Sequence, residues 1–173
     1  MVTTTGAVRE YWDDDTLKFH YFQVEGKVEG PYRAYYKEGH LCVVTHYIGG
    51  LKHGEQRQYY RNGILESVCY YINGVQQGER RTFDQDGTLL SAYYAKDYVK
   101  NGPFISYYPN GRVEKKCSYT NDLLDGPYRE YYDDGETKLA CQYINGALNG
   151  ICKSYNIRGK MKKSRRYAYA EDD

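Results

Sequence analysis

A chain of 173 residues with 40% hydrophobic content has room for one ordinary domain or a short array, and too little apolar mass for a deep two-layer core. A net charge of +1 removes any global attraction to nucleic acid or to an anionic membrane. The 23 tyrosines point instead to a thin sheet wetted on both sides, since the ring is apolar while its hydroxyl can stay in water.

The charge is uneven. Seven Lys or Arg and no acid lie between Lys153 and Arg166, which leaves the rest of the chain at 1 − 7 = −6. No N-terminal apolar stretch resembles a signal peptide, and no run of 18 apolar residues occurs. The five cysteines form no disulfide framework. A cytoplasmic or other intracellular setting with free thiols is expected, and not secretion.

A leading glycine recurs at Gly6, Gly30, Gly54, Gly78, Gly102, Gly126 and Gly150, always 24 residues on. A constant period of this length marks a repeat architecture, so residues 1–173 read as a single array of seven units, the last a basic cap. The first unit runs from Gly6 through Tyr11 to an acidic turn, Asp13-Asp14-Asp15, where Asp15 replaces the usual glycine. The second has an extended stretch, Pro31 to Tyr36, then Glu38-Gly39 and Gly50. The third, GEQRQYYRNGILESVCYYINGVQQ from Gly54 to Gln77, shows the full pattern: Tyr59-Tyr60, Asn62-Gly63, Leu65 to Tyr71, then Gly74. The fourth and fifth turn at Asp86-Gly87 and Asn110-Gly111, with Tyr98 and Asp122 where other units have the second glycine. The sixth has Asp134-Gly135 and Gly146, and the seventh Arg158-Gly159.

Asn-Gly or Asp-Gly between apolar runs predicts a β-hairpin with a two-residue type I′ turn. Turns about every dozen residues are too frequent for helices. Seven hairpins, or about fourteen strands, follow. Two-residue loops set the sixth residue after each leading glycine opposite the eleventh, as Tyr36 with Leu41, Tyr60 with Leu65 and Tyr108 with Val113. The same count sets Gly30 opposite Tyr47, Gly54 opposite Tyr71 and Gly126 opposite Tyr143. The face with the leucine and late tyrosine columns is expected to be better buried.

The opposite face carries an aromatic at the fifth place of every unit: Tyr11, Tyr35, Tyr59, Phe83, Tyr107, Tyr131 and Tyr155. Two residues earlier stand Arg9, Arg33, Arg57, Arg81, Arg129 and Lys153, with Ile105 the exception. Counting across the second turn places Arg81 opposite Glu66, Arg129 opposite Glu114 and Ile105 opposite Leu90. A β-bulge at the leading glycine would flip these faces.

The pattern Tyr-x-Asn-Gly-x-x-x-Gly-x-Tyr-x-x-Tyr-Tyr-x-x-Gly-x-Leu resembles MORN repeats in the longer variant form, which also occurs in bacterial antitoxin or immunity proteins. Its Tyr-Tyr pairs (Tyr35-Tyr36, Tyr59-Tyr60, Tyr131-Tyr132) and period of 24 set it apart from the shorter form. The resemblance implies an elongated, single-layer antiparallel β-meander, a twisted open sheet whose fourteen strands would span about 65 Å. Large DNA viruses also carry expanded sets of such proteins, and a viral source would fit.

No reaction centre is legible. The acidic turns are ordinary Asp-rich turns. His40, Cys42, His46 and His53 crowd the second unit, but Cys42 and His46 would be about 13 Å apart along one strand. Tetrahedral zinc needs its ligand atoms within about 2.3 Å. Cys69, Cys117 and Cys141 share the fifteenth place with Tyr21 and Tyr93, so that place asks for packing and not for a thiolate. Gly-x-Ser-x-Gly and phosphate-cradling glycine motifs are missing. We therefore expect no enzyme, no catalytic, metal-binding or cofactor-binding residue, no cofactor and no nucleic-acid partner.

Two features invite a functional reading. Arg33, Arg57, Arg81 and Arg129 with Tyr35, Tyr59, Tyr107 and Tyr131 form a candidate interaction face, because Tyr and Arg are enriched at binding hot spots. A purely stabilising ladder of stacked cations and rings is the competing reading. Lys153, Arg158, Lys160, Lys162, Lys163, Arg165 and Arg166 form a candidate anionic contact, partly neutralised by Glu171, Asp172 and Asp173, or simply a polar cap. A scaffold or adaptor that binds a protein partner is the leading expectation. An antitoxin that masks a toxin and a peripheral phosphoinositide or anionic-lipid binder, both implied by the resemblance, are the rivals. An open meander also exposes edge strands, and the acidic first unit (Glu10, Asp13 to Asp15) could meet the basic last one in a head-to-tail homo-oligomer.

Overall fold

The computed structural model describes residues 4–168. The acidic tail Glu171 to Asp173 lies outside the described residues. Every regular element among them is a strand, so no helix is present that is long and apolar enough to cross a membrane. The all-β hairpin architecture is therefore as the glycine spacing predicts.

The chain divides into two compact units, Met1–Thr88 and Leu89–Asp173. The first holds β1 (Gly6–Tyr11), β2 (Leu17–Val24), β3 (Lys27–Tyr35), β4 (Leu41–Ile48), β5 (Leu51–Lys52), β6 (Gly54–Tyr59), β7 (Leu65–Ile72) and β8 (Val75–Phe83). The second holds β9 (Leu89–Lys96), β10 (Val99–Tyr107), β11 (Val113–Thr120), β12 (Leu123–Leu124), β13 (Gly126–Tyr131), β14 (Thr137–Ile144), β15 (Ala147–Leu148), β16 (Gly150–Tyr155) and β17 (Met161–Tyr167). Within each unit, strands that follow in sequence pair antiparallel. The two-residue β5, β12 and β15 are the first halves of strands interrupted before β6, β13 and β16.

The two turns of a repeat differ, and the type I′ geometry belongs to the second one. Asn73 and Gly74 both take positive φ, 50° and 83°, and set Ile72 opposite Val75. Asp97-Tyr98 and Asn121-Asp122 adopt the same conformation without any glycine. At the Asn-Gly turn only the glycine is left-handed. The Gly63 N–H donates to the Tyr60 carbonyl (2.9 Å), and the Tyr60 N–H donates to the Ile64 carbonyl (2.8 Å). This is a three-residue loop closed by a bulged glycine. Asn62 keeps a right-handed backbone because its side chain accepts from the Ile64 N–H at 3.0 Å. The sequence-based pairing of Tyr60 with Leu65 is thus off by one, for Tyr59 lies opposite Leu65, Tyr35 opposite Leu41 and Tyr107 opposite Val113. The leucine column consequently joins the fifth-place aromatics, not the late tyrosines.

The pairs of Gly30 with Tyr47, Gly54 with Tyr71 and Gly126 with Tyr143 are as expected. Late tyrosines lie on the better-buried face. There Phe19, Tyr21, Tyr32 and Tyr47 stack in series, with centroids 5.6–6.1 Å apart, and Tyr93, Phe104 and Tyr119 do likewise at 5.9–6.3 Å. The fifteenth place is the innermost column: Cys69 and Thr45 are 2% exposed, and Cys117 and Cys141 are buried too. Such residues fill the narrow space between rings, and burial pushes the Cys69 and Cys117 thiols up from their ordinary range. One cysteine expectation fails. Cys141 lies directly across from Cys152 and forms a disulfide, which ties β14 to β16 and leaves Cys42, Cys69 and Cys117 as free thiols.

Neighbouring repeats are also joined by a side-chain ladder. The sixth-place hydroxyl donates to the main-chain carbonyl of the fifth residue in the next repeat: Tyr36 to Tyr59 (2.8 Å) and Tyr60 to Phe83 (2.8 Å) in the first unit. Tyr108 to Tyr131 (2.7 Å) and Tyr132 to Tyr155 (2.9 Å) do the same in the second. Trp12 substitutes its indole N–H toward the Tyr35 carbonyl at 3.4 Å. These carbonyls sit at the bulge, where the ladder hydrogen bonds lapse, so the phenol supplies the donor the neighbouring strand cannot.

Two outcomes are expected. Tyr60→Phe and Tyr132→Phe keep the ring and delete one part-buried hydrogen bond, so each lowers the unfolding free energy by about 1 kcal/mol in urea titration. Stability also falls in alkali. Burial, then the hydrogen bond with Cys42, pushes the Tyr36 hydroxyl up to about 12, and burial raises Tyr32, Tyr47, Tyr119 and Tyr143. A raised folded-state pKa contributes fully below the unfolded value near 10 and is lost as pH climbs from there to about 12. The urea midpoint should therefore drop between about pH 9 and 12, and drop less in Tyr36→Phe.

Candidate functional site

The candidate interaction face is set by a second irregularity, at the leading glycine. Tyr70 pairs with Gln77 but Val68 pairs with Arg81, so β8 spends four residues where β7 spends two. The same two-residue excess separates Phe22–Glu29 from His20–Arg33, and Lys100–Ala95 from Phe104–Tyr93. Gly78 bends through it with φ of 80°. An excess of one would exchange the faces, while an excess of two preserves them and slides the register.

The slide overturns the expected cross-strand ion pairs. Arg81 lies opposite Val68 instead of Glu66, Arg129 opposite Lys116 instead of Glu114, and Ile105 opposite Ala92 instead of Leu90. The twelfth-place residues lie with the fourth place, where Ser106 Oγ donates to the Glu114 carboxylate (2.9 Å) and Lys138 pairs with Glu130 (3.3 Å). Burial by itself would raise the Glu130 carboxyl, but hydrogen bonds from Tyr128 and Lys138 outweigh it and hold the group below its usual range.

The arginines find acids along their own strands instead. Arg57 Nε lies 2.6 Å from Glu55, and Arg81 Nε lies 3.1 Å from Glu79. Those ion pairs are about half exposed, so each is worth well under 1 kcal/mol. Arg57, Tyr59, Leu65, Val68, Arg81 and Phe83 line one shallow cleft of the first unit, which places the arginine and aromatic columns side by side there. Arg33 approaches His20 (3.5 Å), whose ring stacks on Tyr35 (6.2 Å). In the second unit, Arg129 and Tyr131 share a cleft with Lys116 and Pro127, and Tyr107 follows Ile105 on β10.

The seven cations of the last repeat do not converge. Strand alternation puts Arg166 opposite Ile151 and Ser164 opposite Lys153, on the arginine face. Lys163 and Arg165 lie opposite Ser154 and Cys152, on the tyrosine face, where Arg165 stacks over Tyr167 at 5.1 Å. Arg158 and Lys160 belong to the turn, their main-chain N–H groups held by Asn156. Lys162 is an exposed residue of β17.

Sequence reasoning missed the glutamates at the first place, because they matter only once the arginines are known to lie over them. It also missed Cys152, which occupies a place held elsewhere by Tyr32, Gln56, Arg80, Phe104 and Tyr128. Neither residue breaks the repeat, so periodicity alone could not single it out. No group of three or more His, Cys, Asp or Glu among the described residues is arranged to hold a metal ion.

Comparison with curated proteins finds no match. A family model described as MORN repeat variant matches residues 52–73, 100–121 and 124–145. Each segment starts just after a second turn, crosses a leading glycine and its bulge, and closes at the following second turn, or just short of it. With the glycine phase and the hairpins already established, these matches identify the three segments as MORN repeats of the variant type.

Proposed function

We propose that the chain is a non-enzymatic scaffold or adaptor that binds a protein partner through the arginine- and tyrosine-bearing face. MORN repeats generally mediate interactions with proteins or membrane lipids, which supports an interaction role. The observation that carries the choice of face is the distribution of chemistry between the two sides. One side spends its rings on each other, with Tyr32, Tyr47, Phe104 and Tyr128 packed ring against ring. The other keeps Arg57, Arg81 and Arg129 exposed beside aromatic rings in shallow clefts. Exposed arginine over a rigid aromatic floor is the composition of a protein-binding hot spot.

The division of the last repeat's cations between both sides and a turn favours a protein over a flat anionic membrane, which would recruit them together. The test is capture from native lysate on the intact chain, against Arg57→Ala/Arg129→Ala and Tyr59→Ala/Tyr131→Ala variants. Both tyrosine substitutions retain the carbonyls that receive the sixth-place hydroxyls. A protein held by the wild type and lost by both variants, with melting shifted by no more than a few degrees, is the expected result. Capture that is indifferent to these substitutions, or retention of lipid alone, overturns the reading. A captured toxin-like enzyme would identify the scaffold as an antitoxin.

A further inference from the structure

The arginine face has a different charge balance in the two units. In the first, Glu55 and Glu79 neutralise Arg57 and Arg81, while Ala7 and Pro31 stand at that place before Arg9 and Arg33. In the second, the same first place is filled by Pro127 and Ile151, so Arg129 and Lys153 have no acid two residues before them on the same face. Lys116, a further cation, lies directly opposite Arg129, and Arg166 lies opposite Ile151. No ion pair joins any of these four cations to a carboxylate among the described residues. All four are exposed, and Ile151 is 52% exposed between them.

The surface around them is shaped. A cleft of about 700 Å³ runs between β13, β14 and β16, with Pro127, Arg129, Ile151, Lys153 and Tyr155 on its walls. A second cleft adjoins it, sharing Pro127 and Arg129 and adding Lys116 and Tyr131. Glu136 is the carboxylate at the margin of the first, beside the Gly159 turn. The Cys141–Cys152 disulfide braces β14 against β16 behind that cleft. Like charges within about 10 Å repel one another, and that repulsion is relieved when an anion arrives.

We propose that this face of the second unit is a docking surface for an acidic, extended segment of a partner protein; the proposal rests on the interaction reading above and names the partner's chemistry. A bare phosphate or sulfate would satisfy the cations but leave Pro127, Ile151 and the Tyr131 and Tyr155 rings uncovered. A peptide supplies both charge and apolar contact. Its spacing follows from the sheet: Arg129 on β13 and Lys153 on β16 are two strand positions apart, about 9.6 Å. A polyproline II segment advances about 9.3 Å in three residues and returns to the same side. Asp or Glu at every third position therefore meets Arg129 and Lys153 in turn, with Lys116 reinforcing the first.

The test uses the intact chain and a fluorescent peptide of about fifteen residues with Glu at every third position in a proline-rich background, beside its Lys-for-Glu counterpart. Fluorescence anisotropy should show the acidic peptide binding, with affinity falling as salt is raised, and the basic peptide not binding. Arg129→Glu/Lys153→Glu should weaken it roughly tenfold or more, while Lys37→Glu, at an exposed first-unit turn outside the arginine face, should leave it unchanged. Unaltered melting of each variant confirms that the fold is intact. The proposal is overturned if the acidic peptide does not bind, if Lys37→Glu costs as much as the second-unit pair, or if phosphatidylserine vesicles bind with the same dependence on Arg129 and Lys153. Failure of the peptide while lysate capture still depends on Arg57 and Tyr59 removes this proposal alone. Capture indifferent to both units' arginine faces removes the scaffold reading itself.

Discussion

Two residues too many at the leading glycine of every repeat after the first govern what the side chains of this protein can meet. A glycine with φ between 75° and 118° lets the strand swell without breaking, and the swelling repeats with the period of the sequence. Because the excess is even, the pleat keeps its phase and both faces keep their identity. Because it is not zero, every side chain beyond it meets a partner two positions further along. A separate one-residue bulge beside the first turn, where Glu66 and Glu114 are the unpaired residues, turns the twelfth place to the tyrosine side, and the arginines of the third place are left over residues of their own strand. Charge pairing in this fold is a result of backbone geometry, with sequence selecting among the partners that geometry presents.

A single layer of strands has no second sheet to bury its side chains, and the consequences are visible in which residues it uses. Only a few side chains are buried, the most enclosed being the small Cys69 and Thr45 between rings. Tyrosine and phenylalanine rings pack on one another face to face and edge to face. Each such pair is worth about 0.5–1.5 kcal/mol beyond its buried area. Lysine stems add to this, as Lys100 lies 5.0–5.6 Å from the centres of Tyr93, Phe104 and Tyr119. The hydroxyl ladder then joins hairpin to hairpin at the points where the main-chain hydrogen bonds lapse.

Much of this was legible in the sequence, and the boundary is instructive. The phase of Gly6 through Gly150, the hairpins and the pairing of Gly54 with Tyr71 all follow from spacing. So does the packing role of Cys69 and Cys117. What spacing cannot reveal is a bulge, because an extra residue present in every copy leaves the period untouched. That is why Tyr60 was expected across from Leu65, and Arg81 across from Glu66. The turn type was hidden for a different reason. Asn62 can adopt either hand, and its choice depends on whether its side chain finds the Ile64 N–H, a contact that exists only after the loop has formed. The candidate arginine and tyrosine residues were found from the columns, but the contrast between Glu55 and Pro127 gained meaning only from the register.

The ladder accepts at a main-chain oxygen, never at a side chain. Tyr60 is satisfied by the carbonyl of Phe83 as readily as Tyr36 is by that of Tyr59, although the two acceptor residues carry different rings. The fifth-place side chain, which points toward the arginine face, is thus free to vary without loosening the tie that holds its hairpin to the one before. Descendants of such a chain can alter what they recognise, one surface residue at a time, while inheriting the same framework intact.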